Sequence, residues 1–198
     1  MIGKSLAFVE DQANLYLQGL LGPSTEKYVT IGNIAKIVEN DTVPNDGNGS
    51  AGVILTLVNI EEDRISKNPD GIYRTHNSVI KRNPEILLNL YILFSANTGN
   101  YITALSRISN IIQCFQSTNF FTKESYPSLD PKIDKLHLEL YTMNFEQINH
   151  LWSTLGGKYL PSVLYKMKLV TIVDEDNKVD GSLIREIKIN KNAMIESL

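Results

Sequence analysis

The chain has 198 residues, of which 42% are hydrophobic and 21% are charged, a composition typical of one soluble globular domain. Its net charge of −3 disfavours a dedicated nucleic-acid binder, which needs a basic surface to neutralise phosphates. The single cysteine, Cys114, excludes an intramolecular disulfide. No apolar run approaches the roughly 20 residues of a membrane span, and acidic residues interrupt the N-terminal apolar pattern, so we expect a protein made in the cytoplasm.

The first part of the chain predicts a helix followed by two strands. Apolar residues recur at helical spacing over 2–21, and the next pair, Gly22-Pro23, is typical of helix ends. A short strand is predicted at 28–34, and a second one, apolar on both faces, at 53–60. Between these strands, residues 39–52 are almost wholly polar, Gly and Pro, which predicts a mobile loop.

Residues 61–83 form a charged stretch that is too long for a plain connection. It carries the turn signal Asn68-Pro69-Asp70-Gly71. A connection of this length in a compact domain is usually functional, folded as a hairpin of its own, or disordered. We therefore predict an arm or hairpin that projects from the sheet.

The centre of the chain predicts a buried strand followed directly by a helix. Residues 87–94 are apolar on both faces, as in a central strand that is covered on both sides. After the turn at 95–100, apolar residues recur at the spacing of one helix face: Tyr101, Ala104, Leu105, Ile108, Ile111, Ile112 and Phe115. Cys114 lies near this face, so we expect a structural thiol.

The last third of the chain predicts strands around a short helix. Residues 135–143 alternate as a half-exposed strand after an irregular segment. A helix at 145–155 ends at Gly156-Gly157, and five of its residues are predicted to face inward: Phe145, Ile148, Leu151, Trp152 and Leu155. A long strand follows at 162–173.

Residues 174–198 are predicted to form a peripheral hairpin or tail, with a polar turn at 174–181 and a strand at 183–189. Taken in order, the elements predict an α/β fold with a mixed, largely antiparallel sheet and helices packed on it. No linker divides the chain, so we expect a single domain over 1–198.

Metal-binding patterns fail when the spacing is examined. His76, His137 and His150 lie in three different predicted elements without paired metal-ligand spacing. The acidic run at 174–181 invites a calcium-loop interpretation, but in either register the required glycine or bidentate glutamate position holds another residue. We therefore expect no metal and no other cofactor.

Patterns of catalysis are also missing. No phosphate-binding or dinucleotide-binding glycine pattern and no Gly-x-Ser-x-Gly motif occurs. Glu61, Glu62 and Asp63 are clustered carboxylates, but adjacent residues of a strand point to opposite faces and do not converge on one site. The sequence disfavours an enzyme.

Candidate contact residues concentrate in the charged stretch at 61–83 and in the corner at 156–161, where a helix meets the last long strand. The corner and the strand after it carry tyrosines, a residue type that is enriched at protein interfaces. We expect these residues to be interface candidates: Glu61, Glu62, Arg64, Arg74, Lys81, Arg82, Lys158, Tyr159, Pro161, Tyr165 and Lys166.

Three ordered stretches of the sequence carry a resemblance to a known family. They are NIEEDR at 59–64, LNLYILFSAN at 88–97 and NHLWSTLGGKYLPSVLYK at 149–166. With them, the chain resembles the N-terminal cap-protein family of contractile phage-tail-like injection particles, of the antifeeding-prophage and virulence-cassette type. The resemblance runs over about residues 2–172, whereas the segment after Asp174 has no counterpart.

The resemblance implies a tail-terminator fold and a structural role. A terminator of this type forms a homo-oligomeric ring, expected to be a hexamer, which ends the inner tube and the sheath and anchors the sheath. The implied partners are copies of the chain and the tube and sheath proteins, without nucleic acid or membrane insertion. The protein would pass from the cytoplasm into the particle.

Three alternatives differ in what they require. An assembly chaperone or adaptor of the same particle would bind soluble subunits. A carbohydrate or cell-surface binder would lie at the far end of the particle. A small hydrolase or nucleotide-binding enzyme would need convergent polar groups in a pocket, which the sequence does not predict.

Overall fold

The structure, a computed structural model, describes the following residues: 1–39, 52–63, 72–75, 78–81, 87–156, 158–170 and 179–182. Side chains are described for these residues except at 37–39, 72–75, 78–81, 169–170 and 179–182. The loop predicted at 39–52 and the strand predicted at 183–189 therefore fall almost wholly outside the described residues.

The described part of the chain contains helices and strands in mixed order. The helices are α1 (Ile2–Leu21), α2 (Ile34–Glu39), α3 (Tyr101–Ser117) and α4 (Phe145–Thr154). The strands are β1 (Val29–Ile31), β2 (Val53–Glu62), β3 (Ile72–Thr75), β4 (Ser78–Lys81), β5 (Leu88–Ala96), β6 (Phe120–Thr122), β7 (Lys135–Leu140), β8 (Ser162–Val170) and β9 (Val179–Ser182).

Two units are formed by these elements. The larger comprises Met1–Ser66 and Ile86–Ile172, and the smaller comprises Lys67–Glu85 and Val173–Leu198. The single domain expected over 1–198 stays a prediction.

A six-stranded sheet with the order β1-β2-β5-β8-β7-β6 forms the centre of the larger unit. The outermost pair, β1 with β2, is parallel, and the other neighbours are antiparallel. The predicted mixed, largely antiparallel α/β fold is therefore confirmed. β2 stays paired with β5 as far as Glu62, two residues beyond the predicted strand end, because Glu61 pairs with Asn89 and Glu62 with Leu88.

α1 and α3 cover one face of this sheet and enclose the larger core. Their buried residues recur at the spacing of one helix face: Leu6, Val9, Ala13 and Leu17 on α1, and Ala104, Ile108, Ile111 and Phe115 on α3. Tyr101 and Leu105 were predicted to share this face but are exposed. Successive residues of a helix are rotated by about 100°, so Leu105 falls at the edge of the buried stripe that contains Ala104. Tyr101 is the first residue of the helix.

α2 and α4 pack on the opposite face and enclose a smaller core. Its buried members are Ile34, Ile54, Leu93, Trp152 and Leu164. The prediction that Phe145 faces inward is wrong, since this side chain is 91% exposed. Phe145 is the first residue of α4, and a helical side chain leans toward the helix N-terminus, so here it extends past the end of the helix.

The smaller unit contains a three-stranded antiparallel sheet with the order β3-β4-β9. β3 and β4 form a hairpin within the stretch 61–83, for which an arm or hairpin was predicted; its projection from the sheet stays a prediction. β9 overlaps the last three residues of the predicted polar turn at 174–181, so this part of the turn prediction is wrong. Asp180 and Gly181 have poor strand propensity, and pairing with β4 overrides it.

Candidate interface

A groove of about 500 Å³ opens on the face of the larger sheet that α4 covers only in part. The exposed ends of β2 and β5 form one wall, and α4 with the segment before it forms the other. Its lining is mainly aromatic and apolar with a few polar groups, and includes Asn59, Tyr91, Tyr141, Met143 and His150. We call this feature the α4 groove.

A β-bulge places the strand residues that line the α4 groove. The register between β2 and β5 shifts between Leu57 and Asn59, so that Asn59 pairs with Tyr91. In such a bulge, two residues of one strand oppose a single residue of the other, and the side chains after the bulge change direction. Asn59 and Tyr91 consequently stand on the same face of the sheet as Leu93, beside α4.

Tyr91 is held by three neighbours. Its hydroxyl donates a hydrogen bond of 2.7 Å to Glu61 Oε2, and its ring meets that of Tyr141 edge to face at 5.3 Å between centroids. Lys166 Nζ lies 5.8 Å from the Tyr91 ring centroid. The bond to Glu61 and, to a smaller extent, partial burial raise the pKa of Tyr91 to about 12. The phenol is therefore protonated and donates a hydrogen bond near neutral pH.

A capping box at the start of α4 fixes the other wall of the groove. Asn144 Oδ1 accepts from the Gln147 N–H at 2.8 Å, and Gln147 Oε1 accepts from the Asn144 N–H at 3.0 Å. This pair aligns the first turn, so Gln147, His150 and Thr154 follow one another along the groove side of α4. His150 Nε2 lies 3.7 Å from Glu146 Oε1 on the exposed surface.

Charged groups of both signs extend this surface across β7 and β8. Lys168 Nζ donates to Glu139 Oε1 at 2.8 Å, and that bond holds the pKa of Glu139 below its usual value. His137 Nδ1 lies 3.3 Å from the same carboxylate oxygen. Among the described residues, no group of three or more His, Cys, Asp and Glu could hold a metal ion. The surface is suited to contact with another macromolecule through aromatic and paired charged groups.

The corner at 156–161 presents one aromatic residue to solvent. Tyr159 is 63% exposed, and its ring meets the buried Trp152 edge to face at 5.7 Å between centroids. Lys158 beside it is exposed. Pro161, by contrast, is buried, and its carbonyl accepts from the Ala96 N–H at 2.9 Å, so its role is to join the corner to β5.

Tyr165 was predicted to be an interface residue, but it lies in the larger core and is only 3% exposed. Its ring packs against Phe94 at 5.9 Å and Phe115 at 5.4 Å between centroids. Alternation along β8 places Tyr165 and Met167 on the inner face, whereas Lys166 faces the groove side. Burial raises the pKa of the Tyr165 phenol to about 12.

The remaining predicted contact residues divide into two groups. Glu61 is exposed and Glu62 is half-buried, and both belong to β2. The side chains of the other four lie outside the described residues: Arg64, Arg74, Lys81 and Arg82. Tyr91, Tyr141 and His150 were not predicted as contact residues from the sequence. They line a groove formed by a bulge and a distant helix, which no local sequence pattern predicts.

The fold of the chain is similar to that of a solved protein. No helix of the described part of the chain is long and apolar enough to cross a membrane. The chain is similar to a solved cryo-EM structure of the PVC sheath/tube terminator of an extracellular contractile injection system, in its extended state. The TM-score is 0.55 at 12% sequence identity, and the match covers 93% of this chain and 64% of that chain.

The chain belongs to the family of the Pvc16 N-terminal domain, whose sequence model matches residues 12–186. The resemblance stated from the sequence motifs is therefore confirmed. No curated protein matches the chain. Because the chain spans 64% of the length of the solved terminator, what that whole protein does is carried over only as a proposal.

Proposed function

We propose that the chain is a structural, non-enzymatic terminator of a contractile injection particle, which ends the inner tube and the sheath. Its membership of the Pvc16 N-terminal domain family carries this proposal. The fold it shares with a solved sheath/tube terminator supports it. The protein assembles in the cytoplasm and then becomes part of the extracellular particle.

In this proposal, copies of the chain form a closed ring, a hexamer, that sits on the last layer of tube and sheath and anchors the sheath. A closed ring needs a contact between two different surfaces of neighbouring copies, whose rotation closes on itself. The α4 groove, with Glu61 and Lys166 at its rim, offers one such surface because it combines aromatic area with charges of both signs.

The corner around Lys158 and Tyr159 supplies a second contact surface. An exposed tyrosine supported by a buried tryptophan is rigid, so little conformational entropy is lost when a partner covers it. Arg64, Arg74, Lys81 and Arg82 are proposed to contribute charges to the same assembly.

The test compares particles from cells with and without the gene by electron microscopy. In parallel, the mass of the purified protein shows whether it forms a ring, in solution or when tube ends are present. A terminator predicts particles of uncontrolled length or with unstable sheaths in the deletion strain. It also predicts rescue by the wild-type gene and a ring-sized species. Normal capped particles in the deletion strain would contradict the proposal.

Mass spectrometry of purified particles separates the terminator from the chaperone alternative. A terminator is retained in finished particles at a low, fixed ratio to tube protein. A chaperone binds soluble tube or sheath subunits and is lost before the particle is complete.

A further inference from the structure

The strand β1 lies at one end of the six-stranded order, so one side of its backbone faces away from β2. Such an edge presents N–H and C=O groups to which a strand of another chain can pair. The structure fills this side of β1 with side chains of α1.

Asn14 makes both bonds that a neighbouring strand would make to Val29. Its Oδ1 accepts from the Val29 N–H at 2.9 Å, and its Nδ2 donates to the Val29 carbonyl at 2.8 Å. Two residues along β1, Glu10 Oε1 accepts from the Ile31 N–H at 3.1 Å. The N–H and C=O of Val29 and the N–H of Ile31 are thus bonded to side chains as they would be to a neighbouring strand.

Burial makes these bonds costly to replace. Asn14 is 5% exposed and Glu10 is 7% exposed. The second carboxylate oxygen of Glu10 accepts from Lys27 Nζ at 2.9 Å, and this bond raises the pKa of Lys27. A carboxylate acceptor binds a backbone N–H more strongly than a neutral acceptor does.

The two side chains attach α1 to the sheet, and they also occupy the backbone groups to which a further strand would have to bond. Their placement on the outward strand groups therefore indicates a second purpose. We propose that Asn14 and Glu10 form an edge cover that prevents β1 from pairing with a strand of a second copy of this chain. Copies in an assembly then meet through side-chain surfaces and not through one continuous sheet.

The test removes the edge cover in purified full-length protein and follows both the edge and the association of the chain. Asn14→Leu removes both bonds to Val29. We expect the Val29 amide to exchange roughly tenfold faster, the change expected for the loss of about one net hydrogen bond. We also expect larger species than the wild type forms at the same concentration, in sedimentation over a concentration series.

Two variants keep the test decisive. Asn14→Asp has the same shape and keeps the acceptor of the Val29 N–H, but it loses the donor to the Val29 carbonyl. It replaces Asn14→Leu if that variant fails to fold: the larger species are expected again, whereas the Val29 amide should stay protected. Ile108→Val destabilises the core without touching β1, so it should unfold more easily but form no larger species.

The proposal is overturned if the Asn14 variants sediment like the wild type at every concentration, or associate no more than Ile108→Val does. Asp11→Asn, which alters an exposed partner of Lys27, serves as the matched surface control and should match the wild type. The outcome does not depend on whether the chain caps a particle.

Discussion

Gly52, the residue before β2, lies against the backbone of Tyr28, the residue before β1. A Cβ atom at this position would lie 2.6 Å from the Tyr28 carbonyl oxygen, which itself accepts from the Val53 N–H at 2.8 Å. Gly52→Ala should therefore destabilise the protein by about 1–3 kcal/mol, since backbone on both sides must move. The midpoint of urea unfolding measures this change.

Gly19 provides the opposite case for comparison. It lies in α1, and nothing lies within 4 Å of a Cβ atom added there. Gly19→Ala should stabilise the protein by about 0.5–1 kcal/mol, because alanine has the better helix propensity. Equal effects of the two substitutions would contradict the close approach at Gly52.

Tyr165 should make the protein sensitive to alkali. Its pKa is about 12 in the folded state because of burial, against about 10 in an unfolded chain, so folding favours the neutral phenol. This stabilisation is complete below pH 10 and is lost as the pH rises from 10 toward 12. Urea midpoints across this range should fall less steeply for Tyr165→Phe than for the wild type.

Cys114 adds to the same loss, since burial raises the pKa of its thiol to about 11. The wild type and Tyr165→Phe both retain Cys114, so the difference between them measures the phenol together with its interaction with the Cys114 thiol. Parallel pH profiles would show that Tyr165 is not the responsible group.

At the scale of single elements, the capping box of α4 gives a direct prediction. Asn144→Ala removes the acceptor of the Gln147 N–H, and loss of an N-cap typically costs about 1 kcal/mol. The free energy of urea unfolding should fall by that amount. Asn144→Asp keeps the acceptor and should preserve most of the stability; equal losses in both variants would contradict a capping role.

Elements with a strong hydrophobic period could be predicted from the sequence. α1, α3 and β5 bury residues at the spacing of a helix face or a central strand, so local pattern and tertiary packing agree. α2 and β6 were missed because tertiary contacts define them. The N–H of Ile34, at the start of α2, donates to Thr56 Oγ1 on β2 at 3.2 Å, and the three residues of β6 pair with β7.

The candidate interface could be predicted only in part. The exposed Tyr159 follows a Gly-Gly helix stop, which is a local signal. The α4 groove depends on a bulge in β2 and on where α4 ends over β5, and both are long-range consequences of packing. Tyr165 was predicted to be a contact residue because it lies near the exposed corner, but the alternation of side chains along β8 places it in the core.

At the scale of the whole molecule, a substitution of Phe145 distinguishes an effect on assembly from an effect on folding. It is 91% exposed, so Phe145→Ala should change the free energy of unfolding by less than about 0.5 kcal/mol. It also lies beside the α4 groove, at the start of the helix that forms one wall. If this surface contacts a partner, the variant should lower the fraction of capped particles in electron micrographs.

Leu15→Ala is the matched control, because Leu15 is an exposed apolar residue on α1, away from α4. It should leave capping at the wild-type level. Equal loss of capping in both variants would indicate a general effect of surface apolar residues and would contradict a specific role for Phe145.

The packing of α1 also sets an order of events during synthesis. Phe8 meets Phe121 at 5.3 Å and Tyr126 at 5.8 Å between centroids, and Lys4 pairs with Asp130 at 2.6 Å. These partners are translated about 115–125 residues later, a delay of roughly 6–25 s at ordinary ribosome rates. Until then the part of α1 around Phe8 lacks these partners, so a nascent chain stalled before Phe121 should be a substrate for chaperones and prone to aggregate.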